Sequence, residues 1–197
     1  MIFIIRHGET QKNKKKLLQG RSNDPLNEAG IAQAEQAREY FQNRGVHFDR
    51  VYSSPLIRAV DTAQIIVGDT AQIITDDRLL EMDYGPYEGT SLEPPPPEVL
   101  HFFMDFVNHP APEGMESLEC VVERLGEFME EILPAAAEGG DILISTHAIA
   151  MKGALEYLTP ASGGAYWSKY IGNCEVYQIG IRDGRYLVPE ETGMKGK

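Results

Sequence analysis

Thiols, long apolar runs and positive charge are all scarce in this 197-residue chain. There are two cysteines, Cys120 and Cys174. They lie far apart and fit no CxxC or zinc-ligand spacing, so they read as reduced structural thiols. No apolar run approaches the roughly 20 residues that span a bilayer. The apolar start MIFII is too short for a signal peptide and has no basic residue before it. A soluble, cytoplasmic protein is expected. Lys and Arg total 18 against 30 Asp and Glu, a net charge of −12. That balance argues against general nucleic-acid or membrane binding. No Lys or Arg at all occurs between Met82 and Glu123.

The few cations are unevenly spread. Residues 1–21 hold Arg6, Lys12, Lys14, Lys15, Lys16 and Arg21 against Glu9 alone. A basic start on an acidic chain can draw an anionic ligand locally. Lys14 to Lys16 read equally well as a solvated loop. The length suits one domain over residues 1–197, with a lobe inserted into it.

The hydrophobic pattern gives the architecture. Met1–Ile5 is continuously apolar, as in a parallel strand buried on both faces. A helix is predicted after Asn27, a good N-cap, and it ends at Gly45. Arg50–Ser53 reads as a second strand, with Ser54 and Pro55 opening a helix that runs to about Val67. Gln72–Thr75 is a third strand and Arg78–Glu81 a short extended piece. Val99, Phe102, Phe103 and Phe106 suggest a short amphipathic helix after the Pro94–Pro97 run. Leu118 to Leu133 carries a clearer helical period. Asp141–Ser145 is another buried strand, followed by a helix over Ala148–Leu158. Cys174–Ile181 and Tyr186–Val188 flank an Arg-Asp-Gly-Arg turn and read as a hairpin. The tail after Pro189 is expected to fray. Alternating strands and helices predict a three-layer α/β/α fold with a mainly parallel central sheet. A small helical cap insertion is expected at about 82–137.

In such sheets ligands bind beyond the carboxyl ends of the strands. His7 follows the first strand. Arg58 lies near the start of the helix after the second. His147 follows Asp141–Ser145 and precedes a helix, and Glu81 ends Arg-Leu-Leu-Glu. Two histidines, two arginines and a carboxylate would converge on one rim. The set suits phosphoryl transfer. Guanidinium forks clamp an anionic group. A neutral imidazole is a nucleophile near pH 7. A carboxylic acid can protonate the leaving alkoxide. Helix N-termini after Ser54 and His147 would add N–H donors.

Five segments make the chemistry specific. Arg6-His7-Gly8-Glu9-Thr10 with Asn13 comes first, then QGRSNDPLNEAGIAQA at 19–34 and SSPLIRAVDTA at 53–63. LLEMDYGPYEG at 79–89 and STHAIA at 145–150 complete the order. Together they resemble the histidine phosphatase superfamily, the phosphoglycerate mutase-like fold, on its phosphatase branch. The resemblance implies that His7 becomes phosphohistidine. Arg6 and Arg58 would bind the phosphoryl oxygens, as would His147, in imidazolium form balancing charge in the transition state. Asn13 would donate a further hydrogen bond, with Gln19, Gly20 and Ala148 completing the substrate-binding set. Glu81 would protonate the leaving oxygen and then activate water. Asp76, Asp77, Asp83 and Glu88 remain rivals for that acid role. Glu9 reads as a supporting residue, and Gly8 as a point where backbone passes close to phosphate. The family needs no metal or cofactor, and none is expected. Two positions depart from the usual pattern: Lys12 stands where tryptophan is frequent, and Ala148 where glycine is.

The resemblance implies hydrolysis of a phosphomonoester of a small metabolite, such as a sugar phosphate or α-ribazole phosphate, or broad specificity. The bare stretch from Met82 to Glu123 disfavours a phosphoglycerate mutase, which would need cations for a second anionic group. It suggests a neutral or partly apolar leaving group. Mutase-type transfer and a non-catalytic phosphoanion binder remain alternatives. His101 and His109 lie in the expected cap, where they could touch substrate or face solvent. The oligomeric state is open.

Overall fold

The computed structural model describes residues 1–69 and 71–196. Its strands are β1 (Ile2–Arg6), β2 (Phe48–Ser53), β3 (Ile73–Thr75), β4 (Asp141–Thr146) and β5 (Val176–Ile179). The short strands β6 (Ile181–Arg182), β7 (Arg185–Tyr186) and β8 (Glu190–Glu191) follow. Its helices are α1 (Gln11–Lys14), α2 (Glu28–Asn43), α3 (Ile57–Val67), α4 (Pro97–Met104), α5 (Leu118–Ala137) and α6 (Ala148–Leu158).

The central sheet has the order β3-β2-β4-β1-β5-β8. The first four of these strands are mutually parallel, and β5 runs antiparallel to β1. The sheet is therefore mainly parallel, as the alternation of elements predicts. Side chains on β1 alternate between its two faces. Ile2 and Ile4 join the apolar cluster of α5 and α6, with Phe102 and Phe106 from the α4 region. Phe3 and Ile5 join the cluster of α2 and α3, with Ala34, Phe41 and Ala63. That is the double burial read from the unbroken apolar strand.

Register then places the chemistry. Arg6 stands beside Thr146, and Ser53 stands beside both Ser145 and Thr75. His7, Ser54, Asp76 and His147 each follow directly, at one edge of the sheet.

Four local expectations need correction. Helix α3 starts at Ile57, not Pro55, and its N-cap position is Leu56. Ser54 does not occupy the N-cap position: its Oγ meets His147 Nε2 at 2.7 Å and accepts only a long contact from Leu56 N, at 3.4 Å, ahead of the helix. The Ile57 N–H is met instead by Asn23 Oδ1 at 2.7 Å, from a distant loop. Residues Asp77–Leu79 form a 3₁₀ turn rather than an extended piece, capped by the Asp76 side chain. The tail does not fray: β8 pairs with β5, and Met194 is buried against the Phe3 face. Finally, α5 packs on α6 as part of the layer covering the sheet, so its face is core rather than a lobe above the site.

The loop carrying His7 is pressed against α2. A Cβ on Gly30 would lie 2.1 Å from Glu9 O, and one on Gly8 would lie 2.4 Å from Gly30 O. Only glycine permits that approach. Gly30→Ala should therefore lower stability by about 2 kcal/mol. Urea unfolding would read this as a lower midpoint, and an unchanged midpoint would contradict the close contact.

Candidate active site

His7, Arg58, Glu81 and His147 are all buried, at 3%, 0%, 4% and 0% exposure. Four ionisable side chains, buried together, mark a site more sharply than cavity size does. A cavity of about 650 Å³ between Gln11 and Ile31 gathers no such cluster.

His7 is held at both ring nitrogens. Nδ1 lies 2.7 Å from Gly8 O, and Arg58 Nε donates to Nε2 at 3.2 Å. A carbonyl accepts and a guanidinium donates, so the proton sits on Nδ1 and the lone pair on Nε2. Burial lowers the His7 pKa well below its ordinary value, and the charges of Arg58 and Arg6 add to this. The imidazole is thus neutral, the form a nucleophile needs. Its backbone is fixed as well. Gly8 N donates to Thr62 Oγ1 at 3.0 Å, and Asn173 Nδ2 donates to His7 O at 2.9 Å.

Two more Arg58 donors go to backbone. Nη1 reaches Ser22 O at 2.6 Å and Nη2 reaches Gly20 O at 2.7 Å. Burial pushes its pKa down to about 10, opposed by the charges of Glu81, Glu88 and Asp24. Arg6 Nη1 donates to Ile171 O at 2.6 Å, while its buried Nε has no hydrogen-bond partner.

His147 lies beside His7, ring centres 5.1 Å apart. Its Nε2 meets Ser54 Oγ, and its Nδ1 is buried without a partner. Burial, then the charges of Arg58, His7 and Arg6, lower its pKa well below the ordinary value. The ring is therefore held neutral before an anion binds, and the imidazolium expected from sequence belongs to the transition state. Three cationic or potentially cationic neighbours in a dry site keep the ring neutral. A bound dianion would restore the charge.

Glu81 sits at the N-terminus of α6. Oε1 accepts from Ala150 N at 3.0 Å and Met82 N at 2.9 Å, and Oε2 accepts from Ile149 N at 3.2 Å. The helix end that was expected to hold phosphate is thus partly given to the carboxylate. A clamp on the other side aims it. Arg124 Nη1 binds Arg78 O at 2.6 Å and Leu80 O at 2.7 Å. Arg124 is itself gripped by Glu116, at 2.7 Å from Nε and 3.1 Å from Nη2.

Its rivals are otherwise engaged. Asp76 caps its turn and pairs with Arg78 at 2.6 Å. Asp77 and Asp83 are exposed. Glu88 is engaged only in part: its Oε2 accepts from Gly20 N at 2.8 Å and Arg21 N at 3.3 Å, while its buried Oε1 has no hydrogen-bond partner.

Asn13 and Gln19 are tied to each other, and Gly20 lies between Arg58 Nη2, which donates to its carbonyl, and Glu88, which accepts from its N–H. Gln19 Oε1 accepts from Thr10 Oγ1 at 2.7 Å and Asn13 Nδ2 at 3.4 Å. Asn13 Oδ1 accepts from Asn173 Nδ2 at 3.3 Å. Ala148 opens α6 and is half-buried. Glu9 Oε1 accepts from Asn27 Nδ2 at 2.8 Å, a supporting contact to the α2 N-cap. Lys12 pairs with Asp24 at 3.0 Å, and Lys16 pairs with Glu93. His101 and His109 are exposed and stack on each other, ring centres 6.0 Å apart, away from His7.

Sequence reasoning missed Ser54, Thr62, Tyr84 and Asn173. Tyr84 is buried, and burial together with Glu81 raises its hydroxyl pKa well above the ordinary value. The first three lie within the quoted segments, which was the available signal. Asn173 lies in none of them.

Fold and cluster define an α/β protein of the phosphoglycerate mutase-like class. The chain belongs to the histidine phosphatase superfamily, branch 1, whose model matches residues 2–190. It is 33% identical to a 2,3-bisphosphoglycerate-dependent phosphoglycerate mutase of Parvibaculum lavamentivorans, over 75% of this chain and 74% of that one. It is 30% identical to a Hydrogenobacter thermophilus protein named for phosphoserine phosphatase, over 90% and 88%. Its fold superposes on Bacillus stearothermophilus YhfR with a TM-score of 0.83 and 26% identity, over 98% and 96%. Among the described residues no helix is long and apolar enough to cross a membrane.

Two buried neutral histidines make stability depend on pH. With folded pKa values depressed, the unfolded chain binds more protons below its own histidine pKa near 6.5. Stability is therefore full above that value and falls as pH drops below it, each histidine adding up to about 1.4 kcal/mol per pH unit. The melting temperature should fall between pH 7 and pH 5. A His7→Gln, His147→Gln double variant should lose much of that slope. Equal slopes would show that the imidazoles are not buried neutral.

Proposed function

We propose that the chain hydrolyses phosphomonoesters of small metabolites through a phosphohistidine at His7. The observation that carries this reading is the tautomer of His7, with its proton held by Gly8 O and its lone pair on Nε2 facing Arg58. A phosphoryl group would displace the guanidinium donor from Nε2 and then be gripped by it. Nε2 attacks phosphorus, and the bond from phosphorus to the ester oxygen breaks. Arg6 and Arg58 bind the phosphoryl oxygens. His147 Nδ1, unpartnered in a dry pocket, donates to a further oxygen once the dianion has raised its proton affinity. Asn13, Gln19 and Gly20 line the phosphate loop, and Ala148 brings the start of α6 to it.

Glu81 in its acid form gives a proton to the leaving alkoxide. Its carboxylate then takes a proton from water, which attacks phosphorus and breaks the bond to His7 Nε2. Phosphate leaves, and the imidazole is regenerated. No step calls for a cofactor or metal. We place the reaction in the cytoplasm, with segment 82–117 as a cap and residues 1–197 acting as one domain. A mutase would instead return the phosphoryl group to its bound product. The hydrolase reading requires phosphate release to outpace phosphoglycerate interconversion.

Glu81→Gln tests the assignment of the acid. An alkyl phosphate, whose alkoxide needs a proton, should lose about 100-fold or more in kcat/KM, which reports the steps up to departure of the leaving group and not the later attack of water. A nitrophenyl phosphate, whose phenolate departs unaided, should lose less than about tenfold. Equal losses on both would assign the proton to another group, Glu88 first.

A further inference from the structure

A second buried cation adjoins the cluster, and the mechanism above does not use it. Lys152, on α6, is 8% exposed. Its Nζ donates to Trp167 O at 2.8 Å and stands 5.1 Å from the centre of the Phe106 ring. Among the described residues no carboxylate lies within ion-pairing distance of it. A carbonyl and a ring face together satisfy only part of an ammonium with three donors. A buried charge without a counter-ion is costly and calls for an anionic partner.

The surroundings point to what that partner is. Lys152 lines a cavity of about 300 Å³ with Phe103, Phe106, Trp167 and Tyr170. Tyr170 also lines the adjoining cavity that reaches Arg6, Asn13 and Asn173. The aromatic cavity and the one that reaches Arg6 thus share Tyr170 as a common wall. Lys169 lines it too, but its ammonium is paired with Glu191.

We propose that Lys152, with Phe103, Phe106, Trp167 and Tyr170, forms the leaving-group pocket and selects phosphomonoesters whose leaving group carries its own negative charge. The inference rests on the hydrolase reading. It revises the neutral leaving group expected from the bare stretch between Met82 and Glu123. That expectation weighed only the residues of that stretch, and the fold adds a cation from α6.

The charge on Lys152 is adjustable. Burial pushes its pKa down to about 8, the charge of Glu81 pulls it up, and that of Arg6 pushes it down further. With Phe106, Trp167 and the paired Lys169 uncharged or neutralised, those are the charges that face it. The ammonium is present below that pKa and lost above it.

The test uses phenyl phosphate and its 4-carboxyphenyl analogue. In the wild-type enzyme kcat/KM should favour the carboxylated ester, and the preference should fall as pH rises through about 8. Lys152→Met should lower the ratio of the two kcat/KM values at least tenfold at pH 6.5, mainly through KM. Lys152→Arg should retain most of the ratio. A ratio that stays constant across pH and across variants, with both esters hydrolysed, overturns the pocket and leaves the hydrolase reading standing. Hydrolysis of neither ester overturns both. The wild-type pH series decides the matter even if Lys152→Met does not fold.

Discussion

The hydrogen bond from Arg58 Nε to His7 Nε2 requires a neutral imidazole with its proton on the opposite nitrogen. Much of the local architecture serves that requirement. Strand β1 delivers His7 to the sheet edge, and its pairing with β4 sets His147 beside it. Helix α3 supplies Arg58 and, one turn later, Thr62, whose Oγ1 fixes the Gly8 peptide. The loop at 20–22 turns its carbonyls to the guanidinium. Gly30 allows the histidine loop to lie flat against α2. Each contact is ordinary alone, and together they leave the ring one orientation and one tautomer.

Charge is arranged with the same economy. A chain of net charge −12 concentrates the buried Arg58, His7 and His147 beside a half-buried Arg6. Four full positive charges there would repel one another. Burial and mutual repulsion instead hold both imidazoles neutral and bring Arg58 down to about 10. An incoming phosphoryl dianion supplies the missing negative charge, so the pocket is most complementary to its ligand when the ligand is there. Glu81, bound by three backbone N–H groups, stands at the edge of this field with its carbonyl neighbours pinned by Arg124.

The clustering of His7, Arg58, Glu81 and His147 and the fold class were readable because both rest on short-range rules. An unbroken apolar strand followed by Arg-His-Gly, and Asp141–Ser145 followed by His147, fix strand ends whatever surrounds them. The α6 bounds, Ala148–Leu158, emerged as read. What the pattern could not carry was long-range partnership. Ser54 looks like an N-cap locally, but His147, distant in sequence, takes its hydroxyl. The charged state of His147 depends on burial beside Arg58 and Arg6, which no window of sequence displays. The tail after Pro189 looked loose because an edge strand of two residues leaves almost no periodic signal. The burial of Lys152 gave no local signal either, since Phe106 and Trp167, which meet its ammonium, come from elsewhere in the chain.

The central claim is that the phosphoryl group rests on His7 between two chemical steps. Rapid quench in alkali during turnover of a phosphomonoester, followed by peptide mass spectrometry, tests it most directly, because phosphohistidine survives base. The account predicts phosphate on the peptide containing His7 in the wild-type enzyme, and none in His7→Ala, which should not turn over. Phosphate on another residue, or brisk turnover by His7→Ala, would contradict it.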